Sequence, residues 1–344
     1  MPLRSQPADE FESIDISVEV EVIEIESAED IAGALNGWVL CWKPIGCTSY
    51  DIIRWIKGAM RGLKPKPKIG HTGTLDPFAE GLLLIALGKA TRLIPYLESW
   101  HKSYVATVEL GTTTATLDPT GEVTATAPVP TLDQIGIDNT LSRLVGQIWQ
   151  IPPEFSAIKQ GGEALYKKAR RGETIEVPPR LVDIDDIVLL DRTGNQLTIE
   201  VTCGPGTYIR SLARDLGVAL GTVAYCSALQ RTALNEFTTD NAWHIAGPEE
   251  VTLEALMHVL RPLDTMLSEY PFASLGCTAT TDFGRGNRCV ADTVDSEDQT
   301  VPQAGGPIRA YSATGDFIGM ALLESANAPY VIQPRAVLVA PEVS

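Results

Sequence analysis

Gly70-His71-Thr72-Gly73-Thr74-Leu75-Asp76-Pro77-Phe78-Ala79-Glu80-Gly81 is the stretch around which the 344-residue chain is organised. It sets a carboxylate in a turn rich in Gly, Thr and Pro, and the apolar run Leu82 to Leu87 follows at once. Gly70 and Gly73 permit backbone angles or close approaches that a Cβ would block, and Pro77 stiffens the residue after the acid. Asp76 is therefore expected on a rigid loop with apolar neighbours that keep water partly away. An isolated Asp-Pro is most often a turn or capping residue, so the case for chemistry depends on the rest of the chain.

The length allows two domains, or one large domain with an appendage. A hydrophobic content of 44% fits a packed core, and no run of about 18 apolar residues suggests a membrane span. The N-terminus lacks a basic segment followed by an apolar one, so a cytoplasmic protein is expected. The six cysteines show no CxxC spacing and only four histidines are present, which argues against structural zinc and against a His-built metal site.

The net charge of −17 is unusual for a nucleic-acid binder, and its distribution matters more than its sum. Residues 1–36 hold ten acids and one Arg, whereas Arg54, Lys57, Arg61, Lys64, Lys66 and Lys68 form a basic strip with no acid between Ile52 and Leu75. Such a strip is commonly a solvated face, but beside the Asp76 loop it is a candidate contact for an RNA backbone. Ile14 to Val22 alternates apolar and polar residues, consistent with an edge strand or with a mobile acidic extension.

Along the chain, Trp38–Trp42 reads as a buried strand, and Asp51–Met60 as a helix capped by Thr48 or Ser49. Leu82–Leu87, Lys102–Gly111 and Leu197–Cys203 read as strands, Ala90–Leu97 as a short helix, residues 131–145 as helical and Ala164–Arg171 as a short basic helix. Beyond Pro262 the composition shifts to Gly, Thr and Asp. Ile308–Tyr311, Phe317–Leu323 and Val331–Leu338 suggest strands of a small β-barrel, and the acidic segment from Arg285 to Gly306 is expected to be mobile.

Five blocks in order carry a family resemblance. They are Lys43-Pro44-Ile45-Gly46-Cys47-Thr48-Ser49, the Asp76 loop, Lys102-Ser103-Tyr104 with the following Thr-rich turn to Asp118, Gln150 to Gly172, and Gly206-Thr207-Tyr208-Ile209-Arg210 with Leu229-Gln230-Arg231-Thr232. Over roughly residues 37–240 the chain resembles the bacterial tRNA pseudouridine-55 synthases. The Tyr166, Ala169-Arg170 pattern matches that family and not its guide-RNA-dependent relatives. Two positions depart from the family pattern: Ala115 stands where an Asp is usual, and Gly204 where a Ser is usual.

The resemblance implies an α/β (α+β) fold with a mixed sheet of the pseudouridine synthase type. It divides the chain into an acidic extension (1–36), a catalytic domain (37–270) and a small β-rich, PUA-like C-terminal domain (271–344). It implies isomerisation of the uridine at position 55 in the TΨC arm of tRNA, with no cofactor, no metal and no obligate protein partner, by a monomer. Asp76 would be the covalent catalyst, and the residues leave open whether it adds to the base, attacks the ribose or abstracts a proton. Arg210 would pair with Asp76 and keep it ionised. Tyr208 would lie against the base, as packing or as proton acceptor, and Tyr104 would stack on it, a contact worth ~1–3 kcal/mol. His71 would enter the tRNA loop when the uridine flips, Leu229 would wall the pocket, and Lys43 and Asp118 would touch substrate. Three rival readings remain: a guide-RNA-dependent synthase subunit, a non-catalytic tRNA chaperone, and a glycosidase using Asp76 with Asp118 as its second carboxylate.

Overall fold

The computed structural model describes residues 27–156, 158–165, 168, 171, 173, 176–296 and 302–339. The alternating segment 14–22 and the residues Tyr166, Ala169 and Arg170 lie outside the described residues. In chain order the first strands are β1 (Gly37–Lys43), β2 (Ile69–His71), β3 (Glu80–Leu87) and β4 (Lys102–Leu110). A hairpin of β5 (Thr112–Thr114) and β6 (Val123–Thr126) follows, then β7 (Gly146–Gln150) and the hairpin β8 (Lys159–Gln160) with β9 (Glu163–Ala164). The set continues with β10 (Arg180–Thr193), β11 (Gln196–Cys203), β12 (Ala224–Leu234), β13 (Phe237–Thr238) and β14 (Trp243–His244).

The main sheet runs β14-β1-β3-β12-β4-β11-β10-β7, with β2 hydrogen-bonded to β3 and β13 to β12. Its pairs are antiparallel except β1 with β14 and β3 with β12, so the sheet is mixed, as expected. β3 is apolar from Leu82 to Leu87 because both of its faces are covered. Leu83, Ile85 and Leu87 pack with helices α1 (Ala28–Ala34) and α2 (Ser49–Ala59), while Leu82, Leu84 and Ala86 pack with Trp38, Leu93, Leu97 and Trp100. β4 instead buries alternate residues, Tyr104, Ala106, Val108 and Leu110, against α4 (Ile209–Ala219) and α3 (Gln134–Ser142). Two strand patterns in the sequence thus report two depths in one sheet.

The six-stranded C-terminal sheet runs from Phe272 to Val337 and contains Pro307–Tyr311, Phe317–Ser325 and Tyr330–Val337 at its centre. It packs on the main sheet through Met320, Ala336 and Leu338, which join the cluster around Trp38. The expectation of a mobile 285–306 segment is corrected in part: strands Cys289–Ala291 and Thr293–Asp295 pair there with Tyr330–Ile332 and Phe272–Ser274. The expected Ala90–Leu97 helix is two 3-10 turns, Gly88–Arg92 and Ile94–Leu97, because Pro95 supplies no backbone donor for a continuous α-helix. Ala164, assigned to a helix from sequence, belongs to the β8–β9 hairpin.

The Asp76 loop leads into β3, where β3 and β12 run parallel with Arg231 opposite Gly81. Gly81 has φ +115, and a Cβ there would lie 2.3 Å from the Arg231 carbonyl oxygen. Both constraints are backbone ones, so no side-chain rotation relieves them. We expect Gly81→Ala to lose at least about 2 kcal/mol of stability, measured by the urea midpoint. An unchanged midpoint would mean that β3 and β12 do not meet in this register.

Candidate active site

Two local structures present the central acid. Thr48 caps α2 through a reciprocal box with Asp51, which leaves the neighbouring Ser49 hydroxyl free. That hydroxyl accepts a hydrogen bond from the Leu75 amide at 2.8 Å and donates to the Leu75 carbonyl at 3.2 Å. The Gly46 amide donates to the Pro77 carbonyl at 2.8 Å. Asp76 is thereby clamped on both sides by the turn that precedes α2.

Arg210, in the first turn of α4, meets it from the opposite side and is only 4% exposed. Its Nε lies 2.8 Å from Asp76 Oδ2, as an ion pair out of line for a directed hydrogen bond. The rest of the guanidinium is fastened elsewhere: Nη1 donates to the Thr116 carbonyl at 2.8 Å and lies 3.3 Å from Asp118 Oδ2, and Nη2 donates to the Phe155 carbonyl at 3.0 Å. Asp118 is held by the Thr116 hydroxyl at 2.5 Å and by the Thr120 amide and hydroxyl at 3.0 and 2.6 Å. One buried cation thus faces two carboxylates, with its position set mainly by groups other than Asp76.

These neighbours act on the Asp76 carboxyl in opposite senses. Desolvation pushes its pKa up, Arg210 opposes this, and the Asp118 charge adds to the rise; the net direction is upward. A third of the side chain faces the cavity, yet Leu75, Phe78 and Ala79 beside it are buried.

The cavity over Asp76 is about 710 Å3 and is walled by Tyr104, Tyr208, Leu229, Lys102 and Arg231 as well as the ion pair. Gln150, itself buried, braces Tyr208: its Oε1 accepts from the Tyr208 amide at 2.9 Å and its Nε2 donates to the Tyr208 carbonyl at 3.2 Å. Ser211 and Arg214 in α4 both donate to the Ile151 carbonyl, so the 150–156 segment is stapled to the helix that carries Arg210. Burial raises the phenol pKa of both tyrosines.

Five of the residues singled out from sequence therefore meet in one cavity: Asp76, Arg210, Tyr208, Tyr104 and Leu229. Three others do not line it. Asp118 is buried behind Arg210 as its second counter-charge and does not line the cavity, where a glycosidase pair would need its second carboxylate. Lys43 is fully buried and donates to the Pro44 and Cys47 carbonyls at 2.8 Å, tying the turn that clamps Asp76. His71 sits half-buried on β2, one residue before the rim residue Thr72, with a pKa lowered by burial and by Arg231. The six basic-strip residues are all exposed on α2 and the segment after it; Arg54 pairs with Asp51.

Sequence reading missed three members of the site. Arg231, 1% exposed, donates from Nε to the Leu82 carbonyl at 2.7 Å and lies against Tyr104. Lys102 donates to the Trp100 carbonyl at 2.6 Å, and burial with Arg231 lowers its pKa to about 8. Gln150 is the third. All three stand inside the quoted motifs, but a motif does not reveal which way a side chain faces. The two departures from the family pattern leave the cluster whole. Ala115 does not line this cavity, and at Gly204 a Cβ would make only ordinary contact, 3.5 Å from the Asp183 Cβ.

Residues 60–209 match the family described as TruB family pseudouridylate synthase (N terminal domain). Among curated relatives, tRNA pseudouridine synthase B of Xanthomonas campestris is 38% identical over 301 residues, covering 85% of this chain and 91% of that protein. The protein of the same name from Thiobacillus denitrificans is 39% identical over 292 residues, covering 85% and 93%. Among solved structures, the fold is similar to a chain in the crystal structure of a Cbf5-Nop10-Gar1 complex, with TM-score 0.67, 20% identity, and coverage of 90% of this chain and 87% of that one. A chain in an H/ACA RNP bound to a substrate RNA containing 2'-deoxyuridine matches with TM-score 0.66, also at 20% identity, covering 91% and 88%. With a curated relative 38% identical across most of both chains, and with its Asp76–Arg210 pair set in the matching fold, this chain belongs to the TruB family of pseudouridylate synthases.

Proposed function

We infer that the protein is a tRNA pseudouridine synthase that isomerises uridine 55 in the TΨC arm. The observation that carries this reading is the Asp76–Arg210 ion pair at the floor of a cavity walled by Tyr104, Tyr208 and Leu229. The reaction breaks the N1–C1' bond of uridine, turns the detached uracil and forms a C5–C1' bond; C5 loses its hydrogen as a proton and N1 gains one, so the product is an isomer. Attack at the ribose, addition to the base and proton abstraction all begin from ionised Asp76. A desolvated carboxylate is a stronger nucleophile than a hydrated one, and Arg210 keeps it charged while its other anchors hold the guanidinium still.

The pocket suits an extruded base. Tyr104 offers a stacking face and Leu229 an apolar wall, and removal of a base from its stack costs a few kcal/mol that such contacts offset. Lys102 and Arg231 add positive charge to the wall beside Tyr104, where a nucleotide phosphate would be welcome. The exposed basic strip extends phosphate contact beyond the pocket. We place the enzyme in the cytoplasm, working as a monomer on free tRNA. A guide-RNA-dependent subunit is less favoured, because the curated relatives at 38–39% identity are named as tRNA enzymes while the Cbf5-Nop10-Gar1 and H/ACA RNP structures match at 20%. A non-catalytic chaperone would not need the desolvated ion pair.

The direct test is tritium release from tRNA transcript labelled at C5 of uridine, with mapping of the modified position. Asp76→Asn is expected to fold, to bind tRNA within about threefold of wild type and to release no tritium, since the amide keeps shape but is no nucleophile. Retention of a tenth of wild-type turnover would remove Asp76 from that role. Neutralising Arg61, Lys64, Lys66 and Lys68 together should weaken tRNA binding and flatten the dependence of log affinity on log salt, because fewer counterions are released. The modified position should stay the same; a shifted position would show that the strip aligns the substrate.

A further inference from the structure

The reaction moves a charge away from its counter-ion. Whether Asp76 attacks the ribose, takes a ribose proton or adds to the base, its carboxylate ends neutral, as an ester or an acid. The unit negative charge passes to the uracil. In the first two routes the electron pair of the N1–C1' bond leaves with the ring and spreads over N1, O2 and O4; in the third the charge lies on C5 and O4. Arg210 cannot follow it, because the Thr116 and Phe155 carbonyls and Asp118 hold the guanidinium in place. Stabilisation then depends on a second positive group aimed where the charge arrives.

Lys102 is placed for that role. It stands two residues before Tyr104 on β4, so the two side chains leave the same face of the strand about 7 Å apart. Both line the cavity over Asp76, and a ring stacked on Tyr104 has one edge within reach of the lysine stem. A Cβ on Gly73 would lie 3.8 Å from Lys102 Cε and 3.5 Å from Arg231 Nη1, so both wall cations border the Asp76 loop. Among the described residues Lys102 Nζ makes one hydrogen bond, to the Trp100 carbonyl at 2.6 Å, and no ion pair with a carboxylate. An ammonium has three donors. Arg231 is the more tightly tied of the two cations, through Nε to the Leu82 carbonyl and through Nη2 to the Gly73 carbonyl at 3.4 Å. Burial and the Arg231 charge lower the Lys102 pKa to about 8, and a negative ring beside it works against both.

We propose that Lys102 is a catalytic residue whose ammonium donates to a carbonyl oxygen of the detached uracil and holds the negative charge there while the ring turns. This role belongs to the pseudouridine synthase reaction inferred above and rests on that reading. The turn that replaces N1 by C5 is a half-turn about the N3–C6 axis of the ring, which exchanges O2 with O4. One fixed donor therefore meets a carbonyl oxygen before the turn and the other oxygen after it. The ring's electron pair then forms the C5–C1' bond, Asp76 returns to carboxylate, C5 gives up its proton and N1 gains one. Lys102 keeps its own proton throughout.

The test is single-turnover tritium release at saturating enzyme, with tRNA affinity measured separately. Lys102→Met keeps most of the stem and removes the charge. It should lower the rate about 100-fold or more, while tRNA binds within about threefold of wild type. Lys102→Arg keeps the charge and should run at least about tenfold faster than the Met variant. A Met variant within about fivefold of the wild-type rate would overturn the proposal. So would a loss confined to tRNA affinity, which would make Lys102 a phosphate contact, or an Arg variant no faster than Met. Wild-type protein that releases no tritium would sink the functional reading and this role with it; active wild type beside an equally active Met variant would sink this role alone.

Discussion

The site depends on one buried guanidinium shared by two carboxylates. Removing a cation from water is costly unless it is paired and hydrogen-bonded, and Arg210 meets both conditions through Asp118, the Thr116 and Phe155 carbonyls, and Asp76. Three separated parts of the chain must be in place before that cation is satisfied: the 116–120 turn, the 150–156 segment and the Asp76 loop. The fold and the catalytic geometry are therefore coupled. Asp118 and the carbonyls keep the charge in position, and the guanidinium Nε faces Asp76.

The same economy of roles appears around the loop. Thr48 caps α2, which leaves Ser49 to hold Leu75. Lys43, which forms no ion pair with a carboxylate among the described residues, donates to the turn carbonyls of Pro44 and Cys47. Burial lowers the pKa of that lysine, as it does that of Lys102, so the protein core about the cavity disfavours charge in general. Against that background the guanidinium is the exception, since it stays protonated in any protein environment.

Much of this was legible in the sequence where a motif binds type to position. Asp76 in its Gly- and Pro-rich loop, Arg210 after Gly-Thr-Tyr-Ile, and Tyr104 after Lys-x met in one cavity as expected. Side-chain direction was not legible. Lys43 and Asp118 stand inside the quoted motifs yet point into the protein, and Arg231 was quoted without a role although it walls the pocket. Nor could sequence show that backbone carbonyls of Thr116 and Phe155, far apart in the chain, would complete the Arg210 shell. Strand β10 escaped notice because the adjacent Asp185 and Asp186 break the alternation that Asp183 keeps, and the register with β11 slips between Ile184 and Asp186. The net charge of −17 misleads in the same way when read as a sum, because acids crowd the N-terminus while the strip preceding the Asp76 loop in the sequence is basic.

The central claim is that Asp118 acts on catalysis through the charge balance on Arg210 and Asp76. The measurement that tests it is the single-turnover rate against pH for wild type and Asp118→Asn. The reacting form of Asp76 is ionised, and its pKa is raised, so the rate should climb with pH through a midpoint above the ordinary Asp value of about 3.9. Asp118 contributes to that rise. Its amide removes a neighbouring negative charge and leaves Arg210 more available to Asp76, and both changes move the midpoint to lower pH. We expect that acid-ward shift together with a lower plateau, since one anchor of Arg210 is weakened. A midpoint that stays in place, or moves to higher pH, would contradict the account.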